Sequence, residues 1–131
     1  MIEADAIIAN LTPFRGASAD AGTVYELGFM AGRGKLCLGY SNDPSCYADR
    51  LRELTDVVER DGRLVDAGGL AVEDFALSDN LMLVHALDLH GCALVTPKQA
   101  PVDIWHDLAC FEICVRMAAE RLAAQPPRMS R

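Results

Sequence analysis

Apolar residues along this chain fall into two kinds of run. Short continuous stretches occupy residues 4–11 (ADAIIANL), 35–40 (KLCLGY) and 92–96 (CALVT), the first two closed by turn formers, Thr12-Pro13 and Ser41-Asn42-Asp43-Pro44. Runs this short and this apolar suit strands buried on both faces of a parallel sheet. Between them, apolar positions recur at helical spacing. Ala21, Val24, Leu27, Gly28 and Ala31 predict a helix over 20–33, with Asp20 as N-cap and Gly32 and Gly34 as its stop. Tyr47, Leu51, Leu54 and Val58 predict an amphipathic helix over 45–59 whose off-face arginines, Arg50 and Arg52, read as solvated. Leu81, Val84 and Leu87 predict a helix over 78–89 stopped by Gly91, and Ile104 to Leu122 at the same period predict a long helix over 103–124. Residues 61–74 hold acids and glycines without a sustained period, which predicts an irregular excursion with a short strand at 63–65. A loop that long in a small protein is often functional.

Strand, helix and strand within the first 40 residues make one right-handed crossover unit. The expected fold class is therefore α/β, a three-layer Rossmann-like or flavodoxin-like parallel sheet flanked by helices. At 131 residues and 51% apolar, the chain is long enough for one core, expected over 1–124, followed by a polar tail at 125–131. A net charge of -7 with no Lys/Arg cluster argues against a nucleic-acid polymer or a membrane surface as partner, since both are bound by neutralising negative charge. No apolar run approaches the roughly 20 residues that span a bilayer, and the start carries no basic, then apolar, leader pattern. A cytoplasmic location is expected. The odd set Cys37, Cys46, Cys92, Cys110 and Cys114 is scattered through apolar segments, as free thiols are in a reducing compartment. Cys110 and Cys114 lie one helical turn apart without a second ligand pair, and His85, His90 and His106 form no ligating group. Neither a metal nor an organic cofactor is called for.

Ligands of parallel α/β sheets bind beyond the carboxyl ends of the strands. That rule points to Asn10, Thr12, Phe14 and the Asp20 helix start after the first strand, and to residues 41–43 after the second. Glu26, in the second helical turn, gains modestly from the helix dipole as an anion. Asp20 and Glu26 around one small molecule would resemble the paired carboxylates, about 5 Å apart, that carry out retaining displacement at a sugar carbon. The plainer alternative is an N-cap aspartate and an ordinary helix glutamate. Asn10 and Thr12 either satisfy backbone groups at a strand end or touch a ligand, and Phe14 either covers the core or stacks on a base.

The wording of the stretch carries further. DAIIANLTPFRGASADAGTVYELGFMAGRGKLCLGYSND, together with VEDFALSDNLML at residues 72–83, resembles the nucleoside 2-deoxyribosyltransferase family, in which an acid-bearing loop precedes GT-x-x-E-[LIV]-G at a helix start. The resemblance implies transfer of a 2-deoxyribosyl group between nucleobases in nucleotide salvage, with no cofactor. Glu26 would be the nucleophile and Asp20 its companion acid near the sugar. Asn10, Thr12, Phe14 and Gly22 would line the substrate site, and Asn80 and Met82 would reach a neighbouring subunit's site. The implied partners are 2′-deoxynucleosides and free nucleobases, and the implied assembly is a homo-oligomer with shared active sites. Against the family pattern the chain is shortened by an opening strand-helix unit, Met1 standing at an internal stretch. That implies an unpaired edge on the 4–11 strand and a missing nucleobase wall. Two other outcomes follow from the same residues: a hydrolase acting on 2′-deoxynucleoside 5′-monophosphates, for which Arg15, Gly16 and Ser18 offer an anion-binding loop, or an inactive nucleoside-binding or assembly module.

Overall fold

The computed structural model describes residues 1–90 and 92–124. The predicted helix stop at Gly91 and the tail at 125–131 lie outside the described residues. β1 (Ala6–Asn10) and β2 (Leu36–Tyr40) pair in parallel, Ala6 opposite Leu36 and Asn10 opposite Tyr40, and α1 (Ala21–Gly32) is the crossover between them. Local signals set both ends of α1. Asp20 is extended, and its Oδ2 accepts the N–H groups of Gly22 at 2.9 Å and Thr23 at 3.1 Å, two donors that the first turn leaves without partners. At the other end Gly34, at φ +65°, donates to the Ala31 carbonyl (2.9 Å) while Lys35 donates to that of Met30 (3.1 Å). This bond pair needs a left-handed residue, and glycine adopts that conformation without a Cβ clash.

The remaining elements are α2 (Tyr47–Leu54), β3 (Val58–Arg60), β4 (Arg63–Val65), α3 (Leu81–Leu89) and α4 (Ala109–Ala123). Alternate strand residues face opposite sides, and an apolar cluster forms on each. Ala9, Leu11 and Cys37 meet Leu27 and Met30 of α1 and Leu87 of α3. Leu38 and Tyr40 meet Cys92 and the Cys110, Cys114 and Ala118 stripe of α4. The layers are thus α1 and α3, then the parallel strands, then α4, the expected three-layer α/β arrangement. Gly39 permits the closest approach: a Cβ there would lie 2.6 Å from Leu87 Cδ1. The cysteines pack as free thiols, and burial raises those of Cys37, Cys110 and Cys114, the last to about 11.

Three predicted elements are corrected. The helix expected over 45–59 stops at Leu54, and Val58 belongs instead to an antiparallel hairpin of β3 and β4. Its two-residue turn is Asp61-Gly62, both with positive φ, a strong hairpin signal that the helical period through Val58 obscures. The short strand expected at 63–65 is β4. Residues 92–96 supply one rung of pairing rather than a strand: Val95 donates to Gly39 O (3.0 Å) and accepts from Ser41 N–H (2.9 Å). Cys92 N–H is taken by Leu87 O at the end of α3, and Pro97 follows, so the segment has little room to extend. The long helix expected over 103–124 begins at Ala109, and residues 104–106 form a separate turn. No helix among the described residues is long and apolar enough to cross a membrane.

Candidate functional site

At the carboxyl end of β1 a cleft of about 400 Å³ is lined by Asn10, Thr12, Phe14, Asp20, Thr23 and Trp105. Four of the residues singled out from the sequence, Asn10, Thr12, Phe14 and Asp20, therefore meet where the strand-end rule places a ligand. Asn10 and Thr12 also satisfy backbone groups: Asn10 Oδ1 accepts from Thr12 N–H (3.0 Å), and Thr12 Oγ1 accepts from Asn42 N–H (3.0 Å). Thr12 is buried, whereas Asn10 and Phe14 stay exposed. The Arg15 guanidinium lies 4.9 Å from the Phe14 ring centre, a cation–π contact. Asp20 directs Oδ2 to the helix start, and no described protein donor reaches its Oδ1. A Cβ on Gly22 would stand 2.9 Å from that Oδ2, so the glycine keeps the cap intact.

The structure leaves other singled-out residues outside this lining. Glu26 is exposed on α1, one turn after Thr23. Asn80 is the N-cap of α3: its Oδ1 accepts from Met82 N–H (2.9 Å), and its Nδ2 lies 3.3 Å from both Glu73 carboxylate oxygens. Met82, in the first turn of α3, is 74% exposed. Neither Asn80 nor Met82 borders the cleft of the same chain.

Three side chains that hold the strand-end loops were not assigned that role from sequence. Arg50, expected on a solvated face, is buried. Its Nε donates to Ala17 O (2.8 Å), its Nη1 to Ser45 O (2.6 Å) and its Nη2 to Ser78 O, and Asp43 lies 3.8 Å away. One guanidinium, a rigid fork of donors, thus joins the loops after β1, after β2 and before α3. Asp79, also buried, accepts from Ser18 Oγ, from Ala19 N–H (2.9 Å) and from Asn80 N–H (2.7 Å). Asn42 is the third: its Nδ2 donates to Ile104 O (2.8 Å) and Asp107 O (2.9 Å). Those carbonyls would continue a helix through 104–108, which is why α4 starts later. Trp105 lines the cleft itself, from a segment whose apolar period predicts helix, and no motif in the sequence marks it. Among the described residues no group of three or more His, Cys, Asp or Glu side chains could hold a metal ion.

A family model described as "Nucleoside 2-deoxyribosyltransferase" matches residues 1–82. An uncharacterized protein of Schizosaccharomyces pombe is 33% identical over 103 residues, covering 70% of this chain and 49% of its own length. The chain thus spans about half of that curated relative. Among solved structures, a 2-deoxyribosyltransferase from Leishmania mexicana is 32% identical and aligns with 86% of this chain and 58% of its own, at a TM-score of 0.49.

Proposed function

The chain belongs to the nucleoside 2-deoxyribosyltransferase family, and from that premise we propose that it transfers a 2-deoxyribosyl group from one nucleobase to another through Glu26. A Glu26 carboxylate oxygen bonds to C1′ as the N-glycosidic bond breaks. The bonding pair leaves with the base nitrogen, which takes up a proton. A second base attacks C1′ from the opposite face, loses its proton, and releases the Glu26 carboxylate. Two inversions give net retention. Asp20, with Oδ2 committed to the helix start, offers Oδ1 as an acceptor for a sugar hydroxyl, and Asn10 and Thr23 supply neutral polar contacts in the cleft.

The observation that carries this reading is the placement of Asp20, Thr23, Asn10 and Phe14 around one cleft within the span that matches the family, with Glu26 one turn beyond Thr23. The exposure of Glu26 and of Met82 supports the companion proposal, a homo-oligomer in which Asn80 and Met82 of one subunit close the site of another. An exchange assay tests the chemistry: a 2′-deoxynucleoside and a different free base, with products separated by chromatography. New deoxynucleoside from the native chain, lost by at least about a thousandfold in Glu26→Ala as expected for removal of a nucleophile, is the expected result. Equal exchange by both proteins would overturn the assignment of Glu26.

A further inference from the structure

Trp105 is presented to the cleft with more care than an ordinary surface tryptophan requires. It remains 56% exposed while lining the cleft, and its ring meets that of Phe14 edge-on, with centroids 6.3 Å apart and planes at 83°. The turn beneath it is held from two sides. Asp103 Oδ1 accepts the N–H groups of Trp105 (2.9 Å) and His106 (3.2 Å), and Asp103 Oδ2 pairs with His106 Nδ1 at 2.8 Å. From within, the buried Asn42 amide binds the carbonyls on either side, Ile104 and Asp107. Asn42 is itself tied through its N–H to Thr12, which lines the same cleft. The backbone turn that carries Trp105 and the strand-end residue Thr12 thus belong to one hydrogen-bonded unit. An exposed, edge-on aromatic pair on such a turn, beside the polar groups of Asn10, Thr12 and Thr23 and the Asp20 carboxylate, suits a flat heterocycle that carries no negative charge, because base-on-aromatic stacking needs area.

We propose that Trp105 is the nucleobase-stacking residue of the cleft and that it favours purines over pyrimidines, the bicyclic indole giving a bicyclic base more stacking area. The proposal rests on the reading of the cleft as a deoxynucleoside site. It supplies, from the C-terminal part of the chain, an aromatic wall that the sequence does not mark.

The chain contains one tryptophan, so its emission, excited at the red edge where bases do not absorb, reports this residue alone. The native chain is titrated separately with adenine, thymine and 2-deoxyribose. Saturable quenching by adenine, saturable but weaker quenching by thymine, and none by 2-deoxyribose is the expected result. Quenching that rises linearly without saturation, or thymine binding as tightly as adenine, overturns it. In the exchange assay Trp105→Ala should raise the KM for the acceptor base about tenfold, within the range measured for loss of one stacked aromatic, and change kcat less. Trp105→Phe should recover most of the loss. An unchanged KM in Trp105→Ala overturns the assignment. Saturable quenching without any exchange would leave the base site standing and remove the Glu26 chemistry, so the two failures are distinguishable.

Discussion

Two regions extend from the parallel strands, and they are held in opposite ways. The loops at the carboxyl ends of β1 and β2 are tied together by the buried side chains of Arg50, Asp79 and Asn42, each bonding backbone atoms or side chains far away in sequence. The hairpin of β3 and β4 closes on itself through its own ladder and the Asp61-Gly62 turn. No other helix or strand among the described residues lies against it, and Val58, Leu70 and Phe75 around it stay exposed. Buried polar bonding costs desolvation, so a fold sustains it where geometry has to be fixed. Its concentration around the cleft marks that end of the molecule as the part whose shape matters. The hairpin has local order without that constraint.

The contrast can be broken at its strongest point. Arg50→Ala should remove roughly 3–5 kcal/mol of stability, because three carbonyls at Ala17, Ser45 and Ser78 and the nearby Asp43 lose their shared partner in the interior. Chemical denaturation of the variant measures this, and a loss under about 1 kcal/mol would show that the loops are held by other means. The hairpin gives the opposing case. Gly62→Ala forces a left-handed conformation at φ +74° on a residue with a Cβ, a cost of about 1–2 kcal/mol confined to the turn. Amide exchange should quicken in β3 and β4 while base exchange by the cleft is unchanged. Slowed turnover would instead couple the two regions.

The smallest effect is expected at the exposed rim of the cleft. The His106 contact, followed by the Trp105 backbone N–H, holds the Asp103 carboxyl below its ordinary range. A folded-state value below the unfolded one means that this contribution is present above about pH 4, the unfolded value, and is lost as pH falls through the folded value. Acidification below about pH 4 should therefore change the Trp105 emission, and Asp103→Asn should weaken that change. An identical acid titration in the variant would place the transition elsewhere.

What could be read in advance follows the range of the interactions involved. The Asp20 cap, the Gly34 terminator and the two apolar runs around α1 are set by neighbours within about five residues, so the β1-α1-β2 unit and the residues that gather at its strand-end cleft are legible. The hairpin was legible in principle from Asp61-Gly62, but Val58 continues the apolar period of α2 and masks the boundary. Arg50 reads as solvated because its helix alone offers it no acceptors. They arrive from Ala17 and Ser78, about thirty residues away on either side. The early start expected for α4 fails for the same reason, since Asn42 captures the Ile104 and Asp107 carbonyls from more than sixty residues upstream.

The sequence by itself determined the layered α/β class, the crossover unit, the family, and the gathering of Asn10, Thr12, Phe14 and Asp20 at one strand end. Only the tertiary structure decided that Trp105 completes the cleft and that Arg50, Asp79 and Asn42 hold its loops. Caps, turns and apolar periods act between near neighbours along the chain. A buried donor finds its acceptors only after distant loops have been brought together, and until then nothing in its local pattern distinguishes it from a residue in water.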